Sequence, residues 1–140
     1  MRKVNYKELL LYALFPLVLG IIVGLLTDTS TYSGSIPAIV FPIVWSILYV
    51  LMGISSYLVR DKKELMIIYI INLIVNYAWS FIFFNLEFRV FAFFWILLLL
   101  GITIYMAYKF YKENKLAGYL LIPYILWLVF AAFLNLSIIT

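Results

Sequence analysis

The basic residues of this chain lie in three short clusters, and long apolar segments separate the clusters. Nine of the ten basic residues belong to the clusters, and only Arg89 lies elsewhere. Cytoplasmic loops of membrane proteins are enriched in Lys and Arg, so the pattern predicts orientation as well as class. It predicts a multi-pass integral membrane protein with a cytoplasmic amino terminus and a carboxyl terminus outside. The clusters are Arg2-Lys3-Lys7, Arg60-Lys62-Lys63 and Lys109-Lys112-Lys115.

Five segments are long and apolar enough to cross a bilayer, since a spanning helix needs about 20 mostly apolar residues. The sequence is 68% hydrophobic and 11% charged. Soluble domains are about 45–50% apolar and about 25% charged. Short connections make neighbouring helices antiparallel. We therefore predict an all-α membrane protein, one domain formed by a bundle of five transmembrane helices within the lipid bilayer. The spans are predicted near residues 8–27, 36–59, 65–86, 90–111 and 117–138.

The sequence also lacks residue types on which much protein chemistry depends. With no His and no Cys, it has neither the commonest general base and metal ligand nor a thiol nucleophile. No Asp, Glu, Lys or Arg falls at the predicted middle of a span, which argues against an ion-coupled transporter. Outside the spans there is no basic patch with interleaved aromatic residues. We expect no metal site, no required cofactor and no nucleic-acid partner.

Polar and aromatic residues recur at helical spacing in three of the predicted spans. Residues three or four apart lie on one side of a helix, so each series forms a stripe. An amide facing acyl chains would remain unpaired, which favours an inward direction for the stripes. The stripes are Phe41, Trp45, Tyr49, Met52 and Ser56; Asn72, Asn76 and Ser80 beside Tyr69 and Trp79; and Trp127, Ala131 and Asn135 after Tyr124.

Two interpretations of these stripes remain open at the level of sequence. An apolar hollow lined by aromatic rings with a few orienting polar groups is the usual composition of a small-molecule site. Alternatively, the amides and hydroxyls join the helices, and the aromatic rings lie at the membrane interface. The polar loop at residues 27–35 is either a lid over such a site or a plain tether. Gly20 and Gly24 form a close-approach surface for another helix, within the chain or in a dimer.

Residues in three spans match a known family in order along the chain. The second-helix signature of the tryptophan-rich sensory protein/translocator protein (TspO/MBR) family is similar to the segment Ile36-Pro-Ala-Ile-Val-Phe-Pro-Ile-Val-Trp-Ser-Ile-Leu-Tyr-Val-Leu-Met-Gly-Ile-Ser-Ser56. Asn72-Leu-Ile-Val-Asn-Tyr-Ala-Trp-Ser80 is similar to the third helix of the family. Pro123-Tyr-Ile-Leu-Trp-Leu-Val-Phe-Ala-Ala-Phe-Leu-Asn135 is similar to the fifth.

The resemblance implies a five-helix bundle, usually a homodimer, that binds porphyrin, haem and related hydrophobic molecules beneath its first loop. Trp45 and Trp127 match the tryptophan pair implicated in light- and oxygen-dependent porphyrin breakdown, and would be catalytic only if that breakdown occurs. Without His or Cys, haem would be held by its ring and propionates, or by a weak Tyr ligand. The positions that match the pocket or its surroundings are Phe41, Trp45, Tyr49, Asn72, Asn76, Trp79, Trp127, Ala131 and Asn135.

The chain departs from the family pattern at several positions. Ile36 and Ala38 replace a Pro and a Gly of the signature, and Trp95 stands where an acidic residue is frequent. We predict a membrane protein whose intramembrane pocket binds a porphyrin-like ligand for tetrapyrrole sensing, transport or regulation. The alternative is an enzyme-like protein that degrades porphyrin in light and oxygen. By topology, Asp28 and Arg89 are expected at the pocket mouth, where Arg89 is either a propionate partner or a solvated charge.

Overall fold

The apolar segments form long helices in the computed structural model, which describes residues 4–27, 37 and 39–139. The predicted all-α, five-span fold class is confirmed, and the described residues contain no strand. Asp28, Ile36, Ala38 and nearly all of the polar loop at residues 27–35, predicted to be a lid or a tether, lie outside the described residues. The helices are α1 Tyr6–Leu26, α2 Val40–Leu58, α3 Lys63–Ser80 with a π-helical turn at Phe81–Asn85, α4 Arg89–Glu113, α5 Lys115–Leu120 and α6 Ile122–Ile139.

These elements give five stretches long and apolar enough to span a membrane, and α5 and α6 together form the last. The largest difference from the predicted bounds is in the second span, which was expected from residue 36 and begins at Val40. The stretches are Tyr6–Leu26, Val40–Leu58, Lys63–Asn85, Arg89–Glu113 and Lys115–Ile138. Together with the apolar exterior, they support an integral multi-pass membrane protein.

Local sequence explains where several helices begin. The Asn5 side chain accepts a hydrogen bond from the Glu8 N–H at the start of α1, and the Asn114 side chain does the same for Ala117 at the start of α5. Pro42 and Pro123 lie in the first turns of α2 and α6, where a missing N–H costs no helical hydrogen bond. Pro16 lies inside α1, and its carbonyl accepts a hydrogen bond from the Tyr77 hydroxyl at 2.7 Å.

The spans pack as a ring in the order α1, α2, α5–α6, α4 and α3. The contact between α3 and α1 closes the ring. The α1–α2 crossing is close because Gly53 lies directly against the backbone of Tyr12 and Ala13. Side chains of α1 are otherwise largely exposed, and its buried residues are Ala13 and Pro16. Lipid is the solvent that accepts this apolar exterior. The ring encloses a core rich in aromatic side chains from α2, α3 and α6.

Candidate ligand cavity in the aromatic core

A cavity of about 430 Å³ lies between α1, the first half of α2 and the end of the third span. This volume falls within the range of about 300–1,000 Å³ that is usual for small-molecule sites. One wall consists of α1 residues around Gly20 and Gly24, and the facing wall carries aromatic rings of α2. The lining residues are Gly20, Ile21, Val23, Gly24, Leu25, Thr27, Ile39, Phe41, Pro42, Trp45, Ser46, Tyr49, Ser80 and Phe84.

Trp45 is the centre of the aromatic wall. Its ring stacks on Tyr49 with centroids 5.6 Å apart, and it meets Trp127 edge to face at 6.1 Å with an interplanar angle of 86°. Phe41 also meets Trp127 edge to face, at 5.9 Å. Such offset and perpendicular contacts are the favoured arrangements of aromatic pairs. Rings from α2 and α6 therefore form one continuous surface behind the cavity.

Two indole N–H groups in this surface lack an acceptor within the described ranges. The Nε1 atoms of Trp45 and Trp127 are both buried, and neither has a hydrogen-bond partner among the described residues. Trp45 is only 6% exposed and lines the cavity. A buried donor without a partner costs about 1–3 kcal/mol, so native proteins usually provide one. An acceptor on a bound molecule would satisfy the Trp45 donor.

The amides of α3 belong to a chain of hydrogen bonds that crosses the bundle. Tyr49 donates to Asn76 Oδ1 at 2.7 Å, and Asn76 Nδ2 donates to the Tyr124 hydroxyl at 2.7 Å. Tyr124 then donates to Asn72 Oδ1 at 2.8 Å, and Asn72 Nδ2 donates to Thr103 Oγ1 at 2.8 Å. Four helices, α2, α3, α4 and α6, are joined in this way. Only the first member, Tyr49, also lines the cavity.

A second polar group ties the other end of α3 to α4 and α6. Trp79 Nε1 points at Asn135 Oδ1 at 3.4 Å, and Asn135 Nδ2 donates to the Arg89 carbonyl at 2.8 Å. Arg89 Nε donates to the Phe83 carbonyl at 2.7 Å, and its guanidinium lies 4.6 Å from the Phe83 ring centroid. Because Phe83 belongs to the π-helical turn, Arg89 holds a helix end whose carbonyls are displaced from α-helical pairing. Arg89 is thus tied to protein groups rather than being only a solvated loop charge.

Three of the nine predicted site residues line the cavity, and the other six lie behind its wall. Phe41, Trp45 and Tyr49 line the cavity. Trp127 and Trp79 lie behind them in ring contact with Phe41 and Trp45. Asn72 and Asn76 lie in the hydrogen-bonded chain, Asn135 in the second polar group, and Ala131 in the core with 1% exposure. None of these last four lines the described cavity, so their predicted ligand contacts stay predictions.

Sequence reasoning missed the wall that faces the aromatic rings. Gly24 has no neighbouring atom within 4 Å of the place where a Cβ would lie, so it leaves open space, whereas Gly20 packs against the Tyr49 ring. The Gly20–Gly24 pair indicated close packing and did not indicate a cavity. Phe84, in the π-helical turn that follows α3, also lines the cavity, beside Ser80 of the predicted α3 stripe. Nothing in the sequence pattern marks that turn.

Comparison with known proteins places the chain among membrane proteins of one family. The chain is 32% identical to the tryptophan-rich protein TspO of Chlorobaculum tepidum over 73% of this chain and 69% of that protein. It is 32% identical to protein CrtK of Rhodobacter capsulatus over 73% of this chain and 68% of that protein. It is 33% identical to the translocator protein of Sus scrofa over 66% of this chain and 59% of that protein. The sequence profile of the TspO/MBR family matches residues 12–140. The chain therefore belongs to the TspO/MBR family.

Proposed function

We propose that this protein binds a flat, hydrophobic tetrapyrrole of the porphyrin class in the cavity between α1 and α2. The observation that carries the proposal is the Trp45 side chain, whose ring faces the cavity and whose buried N–H has no acceptor among the described residues. Aromatic contacts contribute about 0.5–1.5 kcal/mol each beyond area burial, so several rings hold a macrocycle without a metal bond. Propionate or carbonyl oxygens of the ligand would accept from the indole. Such binding would serve tetrapyrrole sensing, transport or regulation.

The cavity offers hydrogen-bonding groups as well as apolar surface. Ser46 and Ser80 line it, although the Ser46 hydroxyl already donates to the Pro42 carbonyl at 2.6 Å. Tyr49 donates to Asn76, so its oxygen can still accept a hydrogen bond from a ligand. The site thus combines one unpaired donor with a few acceptors in a largely apolar wall. This chemistry suits a ligand that is apolar over its faces and polar at its edge.

The proposal is tested by titrating the purified protein with protoporphyrin IX in the dark and following tryptophan fluorescence. We expect saturable quenching. Gly24→Leu should weaken the affinity by about tenfold or more, because the added side chain occupies cavity space that the ligand needs, and such a clash costs about 1–3 kcal/mol. Trp45→Phe keeps a ring but removes the N–H, and should weaken binding about fivefold.

Gly101→Leu is the matched control, because it adds the same side chain on α4 at a position that also has open space and does not line this cavity. Its affinity for protoporphyrin IX should equal that of the unmodified protein. Binding by Gly24→Leu with unchanged affinity would show that the porphyrin does not occupy this cavity. Absence of saturable quenching in the unmodified protein would refute the proposal itself.

A second candidate function is light-dependent porphyrin degradation, which the 6.1 Å edge-to-face contact of Trp45 with Trp127 favours. Light-excited porphyrin and dioxygen would supply the oxidation, and the adjacent indoles would be the oxidisable protein groups. Illumination of the bound porphyrin should then bleach its Soret band, and Trp45→Phe and Trp127→Phe should each suppress the bleaching. If both variants bleached the porphyrin as fast as the unmodified protein, binding alone would be left as the function.

We also propose that the protein forms a homodimer, as the family resemblance implies. The apolar exterior of the bundle offers the surface that such an assembly requires. Light scattering with correction for bound detergent measures the mass of the protein part. A mass of one chain at every protein concentration would contradict the dimer.

A further inference from the structure

A groove separate from the aromatic cavity runs along the outer seam between α3 and α4. It has a volume of about 460 Å³ and almost entirely apolar walls, and it shares no residue with the cavity at Trp45. A buried hydrogen bond from Asn72 to Thr103 joins the same two helices. The lining residues are Ile68, Ile71, Leu97, Leu98, Gly101, Ile102 and Tyr105.

Gly101 makes this seam concave. No atom lies within 4 Å of the position that a Cβ would occupy there, so the glycine leaves open space instead of serving close helix packing. Glycine inside a helix costs about 1 kcal/mol relative to alanine. Packing within the described chain therefore gives no reason for glycine at this position, whereas an occupant of the groove would.

The groove leads to a charged recess at one end of the same seam. That recess has a volume of about 370 Å³ and is lined by Asp61, Lys62, Lys63, Glu64, Leu65, Lys109, Lys112 and Glu113. Tyr105 of the groove and Lys109 of the recess are one helical turn apart, and Lys109 Nζ lies 5.8 Å from the Tyr105 ring centroid. Leu65 and Ile68 continue the seam in the same way along α3. Groove and recess therefore form one elongated surface.

Charge and length together identify what fits this surface. Lys109 pairs with Glu64 at 3.9 Å, which leaves Lys62, Lys63 and Lys112 against Asp61 and Glu113, a balance of three positive to two negative charges. One excess positive charge complements a headgroup of net charge −1. Leu97 and Lys109 are twelve residues apart, or about 18 Å along α4. Half of the hydrocarbon core of a bilayer measures about 15 Å.

We propose that the α3–α4 seam is a binding site for an anionic glycerophospholipid. The phosphate lies among the lysines of the recess, and one acyl chain lies in the groove over Gly101. Basic pockets between transmembrane helices select anionic headgroups in this manner. The site is independent of any ligand in the aromatic cavity.

The test is native mass spectrometry of delipidated protein titrated with dioleoyl phosphatidylglycerol or dioleoyl phosphatidylcholine, which differ only in the headgroup. We expect one phosphatidylglycerol to be retained in preference to phosphatidylcholine. Gly101→Leu fills the groove and should reduce phosphatidylglycerol binding by about tenfold. The double variant Lys62→Gln/Lys112→Gln should reduce it about 25-fold, at about fivefold per lysine, without changing phosphatidylcholine binding.

Two control variants make the result specific. Gly24→Leu adds the same side chain in the aromatic cavity and should bind phosphatidylglycerol like the unmodified protein. Lys7→Gln removes a charge from α1 outside the recess and should also have no effect. Thermal unfolding in detergent verifies that each variant is folded.

Three results would overturn the proposal. The first is equal retention of the two lipids by the unmodified protein. The second is unchanged phosphatidylglycerol binding in folded Gly101→Leu. The third is an equal loss in the Lys7→Gln control and the recess double variant, which would show a general effect of charge and no site.

Discussion

At the scale of single residues, the Tyr124 hydroxyl connects two amides in the buried series of hydrogen bonds. It accepts from Asn76 and donates to Asn72, and its side chain is fully buried. Tyr124→Phe would leave one amide donor and one amide oxygen without partners in the core. We expect the free energy of unfolding to fall by about 1–3 kcal/mol. Denaturation in mixed micelles measures this change.

Tyr105→Phe serves as the comparison for that substitution, because the Tyr105 ring is 51% exposed on the lipid-facing side of α4. Its stability should remain within about 0.5 kcal/mol of the unmodified protein, as for most surface changes. Equal stability of the two variants would mean that the Tyr124 hydrogen bonds add nothing to the bundle. The amides of Asn72 and Asn76 would then need another explanation.

At the scale of elements, the crossing of α1 and α2 depends on Gly53. A Cβ at this position would collide with the Tyr12 carbonyl and the Ala13 backbone, which are rigid parts of a helix. We expect Gly53→Ala to separate the two helices and to lower stability by about 1–3 kcal/mol. Because α1 and α2 are also walls of the cavity, porphyrin affinity should fall as well. The two effects are measured by thermal unfolding and fluorescence titration.

Gly101→Ala is the appropriate comparison, since it adds the same methyl group at a helical glycine with open space. Its stability should be unchanged or higher by up to about 1 kcal/mol, because alanine favours the helix. If Gly53→Ala were as stable as Gly101→Ala, the close α1–α2 crossing would not be essential to the fold.

At the scale of the whole molecule, the basic clusters predict which end of the bundle lies in the cytoplasm. The chain has no native Cys, so single introduced thiols report accessibility without background. In intact cells, an impermeant maleimide should label Leu86→Cys, in the connection between α3 and α4, and should leave Asp61→Cys unlabelled until the membrane is permeabilised. The reverse pattern would contradict the predicted orientation.

Much of the fold follows directly from the sequence. Five apolar stretches bounded by charge predict five spans because the bilayer imposes a nearly fixed length on each helix. The inward direction of Asn72 and Asn76 also follows, since lipid provides no partner for an amide. Family motifs located the aromatic residues, and Phe41, Trp45 and Tyr49 do line a cavity.

Tertiary structure decided which groups remain available to a ligand. Asn76 and Trp45 are both candidates in the sequence, yet Tyr49 and Tyr124 occupy the Asn76 amide, whereas the Trp45 N–H has no partner in the part of the chain that the structure describes. Gly24 and Gly53 likewise look alike as helical glycines, but one borders open space and the other touches a backbone. Such differences depend on where separate helices meet. Local sequence determines which residues share one face of a helix. Only the packing of the whole bundle determines what that face touches.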